Sequence, residues 1–324
     1  MKEILFLSKG EDASSTRYRA LQFFSRFEQA GFSPHHLVIA GSAAAYLQAL
    51  HAARHADIVV VQRKVFPTAL LWLLRRSARR LVFDFDDAIF CNSDGTPSPT
   101  RMKRFAAMAR TCDHILAGNA FLAATAARFN PAVSLIPTCI DAGKYLTRVD
   151  KPTATVDLVW IGSSSTRNYL EEALPALRLA ASRVAALRLK IIADFDLPTA
   201  GIAILPVRWQ AATEAAELAS AHIGIAPMRN DDWSRGKCAL KVLQYMGAGL
   251  PVVSSNAGVN AEVVHPGNNG FLVDSAEEWA QAIARLAADP GLRQRLGMAG
   301  QRLVAERYSI DAVFNRIAAA LASL

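Results

Sequence analysis

The chain lacks any apolar run long enough to span a membrane: its greasiest stretch, ALLWLL at Ala69–Leu74, falls far short of the ~18 residues required. The opening MKEILFLSKGEDASS has only a handful of apolar residues between Lys2 and Lys9, too few for the hydrophobic region of a signal peptide, so a cytoplasmic protein is expected. Cysteine is scarce. Cys91, Cys112, Cys139 and Cys238 include no close pair, which weighs against a zinc knuckle or redox motif and leaves four buried, reduced thiols as the expectation. The first strand is followed by SKGEDASSTRYRALQFF without a GxGxxG pattern, so dinucleotide binding is not expected there. Basic residues are not interleaved with stacking aromatics, which makes nucleic acid the weakest partner.

What is present is apolar material for two lobes: 324 residues, 52% hydrophobic and 20% charged. The net charge of +8 is uneven. Residues 1–150 hold 19 Lys and Arg against 12 Asp and Glu, and the remainder 17 against 16, so the halves carry +7 and +1. Such asymmetry points to an anionic partner for the first lobe.

EILFLS, HHLVIA, DIVVVQ, RLVFDFD, HILAGN and VSLIPT read as strands with too little alternation for a sheet wetted on one face. Helical segments such as STRYRALQFFSRFEQAG, opening on Ser/Thr caps and closing at Gly31, lie between them. After DAGKYLTRVDKPTATVD, read as a linker, the rotation restarts with DLVWIGS, LRLKIIADFD, AILPVRW, IGIAPM, PVVSSN and GFLVD. Two doubly wound α/β lobes in tandem follow, with a cleft at the carboxyl ends of both sheets. The expected division is 1–148, 149–308 and a final helix over 309–324 that could cross back to the first lobe.

One stretch carries the chemistry. GKCALKVLQYMGAGLPVV, within a helix expected from a cap at Ser234 to near Gly249, puts Lys237, Lys241, Gln244 and Ala248 on one face. A solvated lysine stripe is one reading. The other is an anion site: Gly236 lets a phosphate approach the backbone, two lysines neutralise it, and Gln244 reaches a sugar hydroxyl.

The wider region PMRNDDWSRGKCALKVLQYMGAGLPVVSSNAGVNAEVVHPGNNGFLVDSAEEWAQAIARLAADPGLRQRLGMAGQRLVAERYS, residues 227–309, resembles the donor-binding region of GT-B glycosyltransferases of the family 4 type. The resemblance implies two Rossmann-like domains facing across a cleft. It also implies transfer of a sugar from a nucleotide diphosphate sugar, with retention, to a saccharide or lipid-linked acceptor in cell-surface polysaccharide, lipopolysaccharide or glycolipid synthesis. No metal or other cofactor is expected. That family's helix usually bears two glutamates eight positions apart, the second on the nucleotide ribose; here these positions hold Gly236 and Gln244. The family also places an Arg and a Lys after the first strand of the second lobe, where this chain has WIGSSSTRNYLEEAL. Gly162, Ser163, Thr166 and Arg167 are therefore donor-side candidates, with phosphate neutralisation partly moved to Lys237 and Lys241. Gly258, Asn260 and Glu262 match the family's turn near the donor, with a plain surface role for Glu262 equally open.

On the first lobe, Arg17 and Arg19 follow the Ser14–Thr16 cap near the expected cleft and suit an acidic acceptor, or a solvated first turn. VFPTALLWLLRRSARR has the composition of an interfacial helix meeting anionic lipid on the inner membrane face, or of a core helix with a basic end. Asp84 and Asp86, two apart at a strand end, point the same way; with Asp87 they lie at the lip of the cleft. Asp86 is the candidate to orient or deprotonate the acceptor, and Lys237 the candidate to stabilise the leaving diphosphate. Anchoring a strand end is the structural alternative for the aspartates. The competing functions are a non-catalytic nucleotide-sugar or glycolipid binding subunit, favoured by the missing glutamates, and a nucleotide-sugar epimerase, which would need an acid and base pair that the second lobe does not display.

Overall fold

Near-continuous apolar strands can be stable only if both faces are covered, and the computed structural model shows both sheets built this way. It describes every residue except 12, 40, 198–200 and 323; the last residue of HHLVIA and one residue of the expected C-terminal helix therefore lie outside the described residues.

The strands are β1 (Lys2–Ser8), β2 (Phe32–Val38), β3 (Ile58–Gln62), β4 (Arg80–Phe85), β5 (His114–Ala117), β6 (Val133–Leu135), β7 (Val156–Ile161), β8 (Leu187–Ala193), β9 (Ala203–Arg208), β10 (Ile223–Ala226), β11 (Val252–Ser255) and β12 (Gly270–Val273). The helices are α1 (Ser14–Arg19), α2 (Phe24–Gln29), α3 (Ala43–His55), α4 (Thr68–Ser77), α5 (Pro99–Thr111), α6 (Ala120–Ala127), α7 (Arg167–Arg183), α8 (Glu214–Ala219), α9 (Asp232–Arg235), α10 (Leu240–Gly247), α11 (Gly258–Val263), α12 (Ala276–Ala288), α13 (Pro290–Arg307) and α14 (Ile310–Ala322).

The first sheet runs β2-β1-β3-β4-β5-β6 and the second β12-β11-β10-β7-β8-β9, with every pairing parallel. Both are doubly wound. The order reverses beside β1 in the first sheet and between β7 and β10 in the second, and α/β sheets bind ligands at the carboxyl ends of such reversals.

The first unit comprises Met1–Cys139, Asp231–Cys238 and Ile310–Leu324, the second Ile140–Asn230 and Ala239–Ser309. In the first, Leu5, Leu7, Val59, Val61, Leu81 and Phe83 face one core, and Ile4, Phe6, Ile58, Val60 and Val82 face the other. The second core includes Phe23 and Phe27 and is completed by Val313, Phe314 and Ile317 of α14, with the Phe27 and Phe314 rings edge to face at 5.0 Å. The final helix thus packs within the first unit.

Three expectations need correction. The helix expected over Ser15–Gly31 breaks after Arg19 into a 3₁₀ turn at Leu21–Phe23 and then α2. The division falls at Cys139/Ile140 rather than after 148, because part of the expected linker is packed: Tyr145 is buried and bonded to Glu214, and Ile140 pairs with Ser309. The helix expected over Ser234–Gly249 is two helices, α9 and α10, separated by Ala239 in the left-handed region at φ 55°. Asn119 accounts for the break. Its Nδ2 donates to the carbonyls of Arg235 and Lys237, each at 3.0 Å, and these would otherwise serve the next helical turn. The cap is Asp231 and not Ser234: its carboxylate accepts from Ser234 N at 2.7 Å.

Candidate functional site

In the second unit, the site is built around Tyr245. Its buried hydroxyl accepts from Ile161 N at 3.0 Å and donates to Ile225 O at 3.1 Å, fastening β7 to β10 where the strand order reverses. Gly224 on β10 makes room for this ring; a Cβ there would meet Tyr245 at 2.4 Å. Lys241, one turn earlier on α10, is thereby brought to the carboxyl end of β7. Its Nζ lies 4.1 Å from the centroid of the Trp160 ring and 3.1 Å from Thr166 Oγ1. Gly162 admits this approach, since a Cβ would lie 2.8 Å from Lys241 Nζ and 2.3 Å from the Trp160 ring.

The structure therefore gathers Gly162, Ser163, Thr166 and Lys241. Ser163 Oγ pairs with Ser165 Oγ at 2.8 Å, and Ser164 N donates to Asp194 Oδ1 at 2.8 Å, an acid that the sequence patterns did not single out. Arg167, at the start of α7, bonds Glu171 at 2.7 Å and stacks over Phe195. Trp160 is fully buried, and its Nε1 has no hydrogen-bond partner among the described residues.

Gln244 and Asn260 are more enclosed than a solvent-facing lysine stripe would suggest. Gln244 is buried and donates from Nε2 to Tyr145 Oη at 3.1 Å; Tyr145 Oη donates to Glu214 Oε1 at 2.5 Å, and Trp209 Nε1 donates to Glu214 Oε2 at 2.8 Å. Asn260 donates to Ser254 Oγ at 3.0 Å, beside Gly258 at φ +50°, while Glu262 is exposed.

Lys237 does not share a helix face with Lys241. It belongs to the first unit, where Nζ contacts Asp87 Oδ1 at 2.8 Å and lies 4.3 Å from the Trp233 ring centroid. Burial, with Arg63 nearby, lowers its pKa to about 8. Gly236 is not an open approach for phosphate, because a Cβ there would lie 2.5 Å from that of Ala88. Arg63, which no sequence motif marked, holds the other oxygen of Asp87 and adopts φ 53°, a strained backbone for a non-glycine residue. Asp86 Oδ1 is buried without a hydrogen-bond partner among the described residues, with Arg63 3.9 Å away.

Arg19 and Asp84, expected at an acceptor surface, form a buried pair instead. The guanidinium meets the carboxylate at 2.5 to 3.1 Å and donates to Ile136 O at 2.7 Å. Burial alone would lower the Arg19 pKa, but Asp84 opposite holds the group charged. Asp84 thus faces inward to Arg19, while Asp86 lies beyond the end of β4. Arg17 is half-buried near the Tyr18 ring. On α4, Leu71 and Leu74 are core while Trp72 and Leu73 are exposed; Arg75 and Arg79 are tied to Asp113 and Asp57. Among the described residues, no group of three His, Cys, Asp or Glu could hold a metal ion, and no helix is long and apolar enough to cross a membrane.

Residues 148–289 match the family of glycosyl transferases group 1. The whole chain has the GT-B fold. It superimposes on sucrose-phosphate synthase from Thermosynechococcus elongatus with a TM-score of 0.77 at 15% identity, covering 100% of this chain and 99% of that one. Anabaena HepE, solved in complex with UDP and glucose, gives 0.73 at 16% over the whole of both chains. Spore coat protein SA of Bacillus subtilis (strain 168) is 37% identical over 60 residues, a match spanning 18% of this chain and only 16% of that protein.

Proposed function

We propose that the chain is a group 1 glycosyl transferase whose second unit binds a nucleoside diphosphate sugar, and that it transfers the sugar, with retention and without a metal, to a saccharide or lipid-linked acceptor. The observation that carries this reading is Lys241, held over Trp160 beside the Gly162–Thr166 loop at the carboxyl end of β7. An ammonium beside a small, polar loop at the start of α7 is suited to a diphosphate. Because the leaving group gains charge as the glycosidic bond breaks, a preorganised cation there stabilises the transition state more than the ground state. HepE has been solved with UDP-glucose, which supports a nucleotide sugar as the ligand class.

In the first unit, Asp86 is the proposed acceptor-side group: its buried oxygen Oδ1 could accept a hydroxyl proton. The proposed setting is the cytoplasmic face of a membrane. Helices α3, α4 and α5 contain no Asp or Glu, and Trp72 is 56% exposed with the Arg76 guanidinium 4.8 Å from its ring centroid. This composition favours an anionic surface. A non-catalytic nucleotide-sugar binding role is the second reading, favoured by Gly236 and Gln244 standing where the resembled family has acids.

The test is release of free nucleotide from a panel of UDP-, GDP-, ADP- and dTDP-sugars with membrane extract as acceptor source, with and without EDTA. Release from one nucleotide class, indifferent to EDTA, is expected. Tight binding without release would favour the binding subunit, and neither binding nor release would overturn the donor site.

A further inference from the structure

The seam between β7 and β10, where the order of the second sheet reverses, is short. β7 pairs with β8 along its length, Val156 to Ile161, whereas with β10 the register covers Leu158 and Val159. Side chains fasten it at both ends. Tyr245 closes the carboxyl end through Ile161 N and Ile225 O. His222 closes the amino end: its ring Nδ1 accepts from Asp157 N at 3.0 Å, while its own N donates to Asp157 O at 2.9 Å. A backbone N–H can only donate, so Nδ1 presents a lone pair and the ring is the neutral tautomer protonated at Nε2. His222 and Asp157 are 5% and 1% exposed, so bulk solvent does not relieve a mismatch between them. A proton on Nδ1 would set two buried donors against each other.

The surroundings of the ring oppose that proton as well. Burial pushes the His222 pKa below its usual 6.5; Arg293 of α13 and Lys151, whose Nζ donates to Ala221 O at 2.6 Å, push it further, while Asp157 and the Pro152 carbonyl act the other way. The Asp157 carboxylate is already committed to Arg188 of β8 at 2.7 and 2.8 Å. His114, at the amino end of β5 in the first unit, provides a contrast. Burial lowers its pKa too, but its Nε2 meets Ser134 Oγ at 2.9 Å, a hydroxyl that accepts as readily as it donates. We propose that His222 is an acid-sensitive latch: protonation of its ring releases the amino end of the β7–β10 seam and loosens the second unit ahead of the first. The latch stands whatever the second unit binds. Release that runs the length of the seam frees Ile161, the residue before the Gly162–Thr166 loop, and on the donor-site reading this regulates the donor loop by pH. In the opened state the ring regains its ordinary pKa, so below about 6.5 that state binds the additional proton. Closure is fully favoured above that value and is lost as pH falls.

The experiment measures amide exchange by NMR, as protection factors between about pH 7.5 and about pH 5.5, in wild type and in His222→Asn, whose side-chain oxygen takes the place of Nδ1 and does not titrate. Nitrogen shifts of the wild-type His222 ring at the upper pH identify the tautomer. In wild type, protection at Asp157 and Ile161 should fall by about fivefold more than at Ile115 of β5 as pH is lowered. In His222→Asn that excess should vanish. A ring protonated at Nδ1 at the upper pH, a fall at Asp157 no larger than at Ile115, or an excess that survives in His222→Asn overturns the latch. An excess at Asp157 that does not extend to Ile161 overturns the reach of the latch to the loop, and with it the regulation of the donor site. Nucleotide binding judges the donor-site reading separately. If His222→Asn does not fold, the wild-type tautomer and the wild-type exchange pattern decide alone.

Discussion

The two units share a doubly wound design but handle charge differently. In the first, cations near the carboxyl ends of the strands meet carboxylates: Arg19 holds Asp84, and Arg63 and Lys237 hold Asp87. In the second, Lys241 rests on a hydroxyl and an indole ring, and the buried acid Glu214 is served by a phenol, an indole and an amine. A side chain already neutralised by an acid contributes little to an incoming anion. Lys241 is instead held over Trp160 beside the small, polar Gly162–Thr166 loop at the carboxyl end of β7, where a diphosphate would meet it. Lysines four positions apart in sequence thus have different expected roles.

The largest expected effect breaks the first unit. Asp84→Ala leaves the Arg19 guanidinium buried without its acid and should cost about 3–5 kcal/mol in urea unfolding; a change within about 1 kcal/mol would mean that the pair is solvated in solution. Next, Lys241→Ala should lower the rate of nucleotide release by roughly two to three orders of magnitude with little loss of stability, as for removal of one preorganised donor. Gly297→Ala should cost about 1–3 kcal/mol by overpacking, because its Cβ would lie 2.0 Å from Gly249 O where α13 meets the end of α10.

A smaller effect belongs to Lys237. Its folded-state pKa of about 8 lies below the ordinary 10.5, so between these values the unfolded chain binds more protons and stability should rise with pH. Lys237→Met should flatten that rise in melting curves between pH 8 and 10.5. An unchanged slope would show that the amine is hydrated.

Much of this was legible in the sequence, for identifiable reasons. All twelve expected strands correspond to strands among the described residues, because sheets covered on both faces demand apolar runs that turns interrupt cleanly. The Gly162–Thr166 loop and Lys241 were placed by motif and are adjacent in space. The break at Ala239 was not legible, because its cause is the Asn119 side chain, more than a hundred positions away in the chain. Helical projection of 234–249 therefore put Lys237 and Lys241 on a face that does not exist. The role of Tyr145 was hidden in a polar, proline-containing stretch that reads as linker, and that of Glu214 among ordinary helix-start acids. Arg63 carried no signal beyond its position at a strand end.

Calorimetric affinity for the nucleoside diphosphate that binds most tightly, measured on wild type, Lys241→Ala and Lys237→Ala, tests the central contrast directly. At least tenfold weaker binding is expected for Lys241→Ala and a change within about twofold for Lys237→Ala. Equal losses from both, or a loss from Lys237→Ala alone, would contradict it.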